Sequence, residues 1–249
     1  MDEQNKAITQ SEEKELQRVF TTMCNFQAKS KLVARLTPKR ERRDKLLAYR
    51  KSPETAVALN AQQEKMSMSD VTHELETLKR EIVAIEKEIA TYDSDPNRKI
   101  RSADLSECLR KLGKACTRKE VEELIWEVDE NLDGFVDWDE FKLTYQRNLA
   151  DATGLEPCQL FNVVQFMLYD KDGSGKVTVD ETMHMLYTRY GRDKLEGQMK
   201  LLFGEDLATE DGDGELSFSE YLAAICSKNR RQFSQGSSED ARAAVRNKK

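Results

Sequence analysis

Two twelve-residue stretches of this chain place oxygen-bearing side chains at the spacing a hard divalent cation requires. Calcium takes about six to eight oxygens, and an acidic loop of this length supplies them from positions 1, 3, 5, 7, 9 and 12, with a sharp turn at position 6. In the stretch from Asp129 to Glu140, Asp129, Asn131 and Asp133 fill the first three ligand positions. Gly134 takes the turn without steric cost. Phe135 lends its carbonyl, Asp137 acts at position 9, and Glu140 is long enough to reach back with both oxygens. The stretch from Asp170 to Glu181 repeats the arrangement. Asp170, Asp172, Ser174 and Thr178 give oxygens, Gly175 makes the turn, Lys176 lends its carbonyl and Glu181 closes the shell. Val136 and Val177 stand at position 8, where two such loops can pair.

Two further stretches depart from the pattern. With Gly214 at position 6 and Glu220 at position 12, Asp211, Asp213, Glu215 (by its carbonyl) and Ser217 fall on ligand positions and Leu216 on position 8. Position 1 is then Thr209, and the missing carboxylate lowers affinity, which follows ligand charge. The earliest stretch begins well with Asp93, Asp95 and Asn97. Arg98 then stands where glycine is needed, Pro96 stiffens the turn, and Asp104 is short for a closing ligand. That unit is expected to keep the fold, lose the ion and serve as structural mate to the next, with Ile100 at its pairing position.

Helices must hold these loops. Val121, Leu124, Ile125 and Val128 lead into the second loop after a Thr117…Glu120 capping box, and Leu160, Phe161, Val164 and Leu168 lead into the third. The four units start at Asp93, Asp129, Asp170 and Thr209, at intervals of 36, 41 and 39 residues. Met167, Met183, Met185 and Met199 all fall in the second pair of units; they fill a core, as methionine does well, or line a groove.

Upstream the chain changes character. Residues 11–36 read as a helix with Leu16, Val19, Phe20 and Met23 on one face, which Pro38 should interrupt. Residues 29–51 carry ten Lys or Arg against Glu41 and Asp44, a net +8 in a chain of −6 overall. This basic stretch, with Arg40, Arg42 and Arg43 at its centre, is either a solvated face or a contact for an acidic partner. Met68, Val71, Leu75, Leu78, Ile82, Ile85, Ile89 and Tyr92 form an unbroken heptad seam. A lone helix would leave that stripe wet. It must pack on a second copy, on the N-terminal helix or on another protein. The expected organisation is a basic helical arm over 1–60, a heptad helix over 61–92, loop pairs over 93–148 and 149–226, and a disordered tail over 227–249.

Charged residues make up 35% of the 249 and the hydrophobic set 38%, which suits long solvated helices with small cores. The five cysteines form no C-x-x-C pair, and their odd number points to reduced thiols in an intracellular protein. No run approaches the ~18 apolar residues of a membrane span. The basic stretch lacks interleaved aromatics, so nucleic acid is not an expected partner. No phosphate loop, nucleophile elbow or zinc spacing is present, and catalysis is not expected.

Residues 93–226 resemble the EF-hand proteins of the calmodulin and troponin C superfamily. The resemblance implies an all-α fold with two lobes, each a pair of EF-hands joined by a short ribbon, Ile100 pairing with Val136 and Val177 with Leu216, and Ca2+ as the bound ion. The runs DENLDGFVDWDEF, TGLEPCQLFNVVQF and YDKDGSGKVTVDETMHMLYTRYG are also similar to flagella-associated EF-hand proteins, some of which lie inside ciliary doublet microtubules. That similarity implies a structural calcium-binding component of a cytoskeletal assembly, the ciliary axoneme, with tubulin or axonemal proteins as partners. The alternative is a soluble calmodulin-like sensor that grips a target helix when calcium binds.

Overall fold

The structure is a computed structural model that describes residues 8–51, 67–151, 153–190, 192–203 and 214–225. The first helix, α1 (Gln10–Met23), opens on a capping box in which Thr9 and Glu12 satisfy each other's backbone N–H groups, and it buries Leu16, Val19, Phe20 and Met23. The single helix expected over 11–36 is in fact two. Asn25 adopts a left-handed φ of 54°, a conformation asparagine tolerates better than most residues, and α2 (Phe26–Lys51) starts anew beyond it.

Pro38 does not end α2. Its missing N–H leaves the carbonyl four residues back, on Ala34, without its helical donor, and both residues are exposed, so water can satisfy that oxygen. α2 lies against α3 (Met68–Asp93), which carries the heptad stripe from Val71 onward; Met68 is exposed. Leu32 and Leu36 meet Ile82 and Ile85, while Leu46 meets Val71, Leu75 and Leu78, so the two helices run antiparallel. The partner of the stripe is thus the basic helix of the same chain. Ion pairs line the seam, from Arg42 to Glu74 at 2.8 Å, Lys39 to Glu81 at 2.5 Å and Arg40 to Glu86 at 2.6 Å, and Arg43 pairs with Asp44 at 2.8 Å. Arg40, Arg42 and Arg43 therefore all have acidic partners within the chain.

α3 runs straight into the first loop and is the entering helix of the first unit. There follow α4 (Ser102–Lys111), α5 (Arg118–Trp126), α6 (Trp138–Ala150), α7 (Gln159–Tyr169), β1 (Lys176–Thr178), α8 (Val179–Tyr190), α9 (Arg192–Phe203), β2 (Glu215–Ser217) and α10 (218–225). α5 begins on the Thr117–Glu120 capping box. α7 is buried on nearly every side, as an all-round apolar helix must be; its one buried amide, Gln165, donates to the Tyr169 hydroxyl at 2.8 Å.

One core runs through both loop pairs. It joins Leu16, Phe20 and Met23 of α1 to Leu105, Val121, Phe141, Phe166, Phe218 and Tyr221. Phe20 sits at the centre of the first pair, with ring centroids 5.5 Å from Trp138 and 5.2 Å from Phe141. Of the four methionines in the second pair, Met167 and Met199 are buried, Met185 packs against the core and Met183 is exposed. Residues 1–7 and 52–60 of the arm, 61–66 ahead of the heptad helix and the 227–249 tail lie outside the described residues. No helix among the described residues is long and apolar enough to cross a membrane.

Candidate metal centres

Each loop with a position-12 glutamate folds that side chain inward through the cap of its exiting helix. Glu140 Oε2 accepts from the Asp137 N–H at 3.0 Å, and Asp137 Oδ1 accepts from the Glu140 N–H at 3.1 Å. Thr178 and Glu181 make the same reciprocal bonds at 3.0 and 3.2 Å, and Ser217 and Glu220 at 2.8 and 3.4 Å. Positions 9 and 12 thus serve both as a capping box and as candidate ligands. The second Glu140 oxygen accepts from the N–H groups of Glu130 and Asn131, and that of Glu181 from Lys171. Both glutamates already span their loops from end to beginning.

Position 1 organises the other side. Asp129 accepts from the N–H groups of Asp133 and Gly134 at 3.2 and 2.7 Å, and Asp170 from Ser174 and Gly175 at 3.0 Å each. Gly134, Gly175 and Gly214, at position 6, have φ of 82°, 83° and 72°, the left-handed region that only glycine enters cheaply. Position 4 is left-handed too, and here the loops differ: the third has Gly173 (φ 72°), the second Leu132 (φ 60°).

The third loop gathers its carboxylates tightly. Asp170, Asp172 and Glu181 each offer an oxygen within 4.8 Å of the others, and among the described residues no other trio of His, Cys, Asp or Glu does so. Burial pushes Asp170 above the usual carboxylate range, while the Ser174 N–H and hydroxyl hold the neighbouring Asp172 below it. A buried carboxylate beside another acid, all facing one space, is a donor set of the hard-oxygen type that calcium takes. Ser174, Lys176 and Thr178 stand on the same loop.

In the second loop a lysine intervenes. Lys99 donates to Asp133 Oδ2 in a short hydrogen bond and lies 3.9 Å from Asp137 Oδ2. The Lys99 ammonium is the first cause holding the Asp133 carboxyl below its ordinary range. In the fourth loop Thr209, Asp211 and Asp213 lie outside the described residues; Glu215, Ser217 and Glu220 stand on β2 and the start of α10.

The first loop has put its acids to other use. Lys29, nearly buried in α2, donates to Asp93 Oδ1 at 2.9 Å and to the Thr21 carbonyl. Buried Asp104 accepts from the Gln27 N–H at 3.0 Å and so satisfies one of the unpaired amides at the start of α2. Asp95 is spent on its own turn, accepting from the Asn97 N–H at 2.9 Å. Arg98 has no left-handed φ; its guanidinium lies 6.0 Å from the Phe20 ring centroid. Sequence reasoning did not find these contacts with α2. One signal was available: Lys29 stands in register with Leu32 and Leu36, and a lysine on an apolar stripe needs a buried partner.

The loops pair at position 8. Ile100 and Val136 exchange both backbone hydrogen bonds at 2.9 and 3.0 Å, and β1 pairs with β2 in antiparallel register with Val177 opposite Leu216.

Two antiparallel loop pairs, each flanked by helices and lined with carboxylates, define a class of paired helix–loop–helix cation-binding proteins. Models of the EF-hand domain pair match residues 96–148 and again residues 161–226. A putative calcium-binding protein of Oryza sativa subsp. japonica, CML19, is 31% identical over 134 residues, covering 53% of this chain and 88% of that protein. The probable calcium-binding protein CML25 of Arabidopsis thaliana is 27% identical over 153 residues, with coverages of 61% and 78%. Troponin C isoform 1 of Balanus nubilus is 27% identical over 151 residues, with coverages of 59% and 90%. The chain belongs to the EF-hand family of calcium-binding proteins.

Proposed function

We propose that this protein is a calcium sensor in which the third loop is the leading site and α7 carries its state to α1. The observation that carries this reading is the double role of α7. Its C-terminal end supplies Asp170 to the third loop, and its flank holds α1: the Met167 carbonyl accepts from Arg18 Nη2 at 3.0 Å. Asp170, Asp172, Ser174, Thr178, Glu181 and the Lys176 carbonyl would hold the ion there, and Asp129, Asn131, Asp133, Asp137, Glu140 and the Phe135 carbonyl in the second loop. Calcium supplies the positive charge that lets these carboxylates stand together. Glu181 opens α8 and Asp170 ends α7, so drawing the two together changes the angle between those helices. Because α7 is buried on nearly every side and packs on α1, α1 feels that change.

Hydrogen exchange of α1 amides in calcium and in chelator tests the proposal. A change of about fivefold or more, abolished by Glu181→Gln, is expected for a two-state element coupled at 1 kcal/mol or above. Stoichiometric binding with α1 exchange unmoved would refute it.

A second reading, a structural component of a cytoskeletal assembly such as the ciliary axoneme, is favoured by the α2–α3 hairpin. Both helices of that hairpin lie outside the two matched EF-hand pairs, and a static scaffold has use for them. Fractionation in calcium and in chelator separates the two readings. A sensor moves between fractions with calcium, and a static component stays in the cytoskeletal pellet in both.

A further inference from the structure

We infer that Lys99 is a built-in competitor for the second calcium loop: its ammonium holds the acidic side of that loop and must be displaced before the ion is bound. This rests on the reading of the second loop as a calcium site. Lys99 stands at position 7 of the first loop, beside Ile100, whose bridge to Val136 fixes it opposite the second loop. From there it reaches Asp133 and Asp137, two of the four acidic ligand positions.

The second pair shows why the lysine goes there. Its position-7 residue, Lys176, is also a lysine, and Lys176 Nζ is held 3.0 Å from Glu215, the position-7 residue of the opposing loop. In the loop facing Lys99, position 7 is Phe135, which offers no charge, and the antiparallel register sets Asp137 opposite Lys99. The nearest anions left to Lys99 are the calcium ligands themselves. Lys99 is one-third exposed, so it leaves at modest cost, and the effect is on affinity rather than on whether the loop can bind.

Calorimetric titration with CaCl2 in a Glu181→Gln, Glu220→Gln background isolates the second loop. Lys99→Met is expected to tighten binding about three- to tenfold, and Lys99→Arg to leave it near the parent value. A second readout, independent of the heat of binding, runs alongside. Reductive methylation followed by mass spectrometry should find Lys99 slow to react in chelator and faster in calcium. Equal affinity in the parent and Lys99→Met overturns the inference and leaves the second loop as a site. No binding in either variant overturns the inference together with the site assignment. The same titration without the two glutamine changes checks the fold, since the third loop must bind as before.

Discussion

Replacing Phe20 by alanine tests whether α1 belongs to the EF-hand core or merely rests on it. Phe20 is 1% exposed and meets Trp138 and Phe141 with ring centroids 5.5 and 5.2 Å away. Truncating a buried phenylalanine costs about 3–5 kcal/mol, of which each aromatic pair accounts for about 0.5–1.5. With a urea m-value of about 2–3 kcal/mol per molar, the unfolding midpoint should fall by about 1–2.5 M. A Trp126→Phe background makes the assay specific, because the chain has only two tryptophans and Trp126 is 71% exposed. The emission of Trp138 should then shift to the red as its ring loses cover. A midpoint shift below about 0.3 M with unchanged emission would refute the docking of α1, because no buried phenylalanine of this kind is removed so cheaply.

Three other expectations follow from single observations. Arg42→Glu sets a like charge against Glu74 across the α2–α3 seam and should cost about 1 kcal/mol in thermal unfolding, restored when Glu74→Arg is added. Leu132→Gly relieves a left-handed residue at a strain of about 1–2 kcal/mol against a glycine entropy cost of about 0.5–1, so chelator-treated protein should gain a few tenths to about 1 kcal/mol in urea. Burial pushes the thiols of Cys24 and Cys108 up to about 12, cutting their thiolate about a thousandfold below an ordinary thiol; pulse alkylation should label exposed Cys158 and spare both until the chain unfolds.

Much of this architecture could be read from residue types. The loops announce themselves because ligand chemistry fixes many positions at once, and the helix faces because burial imposes a period. Leu16, Val19, Phe20 and Met23 were legible as a buried face for that reason. What covers a face was not legible. The heptad stripe fits any apolar partner, and only the three-dimensional path of the chain brings Leu32, Leu36 and Leu46 to it. Helix ends were misjudged where a rule has exceptions set by exposure, as at Pro38, or by one backbone angle, as at Asn25. The cations that touch the loops were missed because Lys29 lies 64 residues from Asp93, and Lys99 lies 34 from Asp133. Such distances carry no local pattern.

The continuity of α3 from the hairpin into the first loop also gives the molecule a lever. Its 26 residues form a rod of about 39 Å at 1.5 Å per residue, packed along α2 and tied to it at the loop end by Asp93 on Lys29. A tilt of the whole α2–α3 hairpin by only ~10° about its loop end would sweep the far end through about 7 Å, given the helical rise per residue. Motions too small to be noticed at the first EF-hand would become ångström-scale steps at Met68, where the rod ends in solvent.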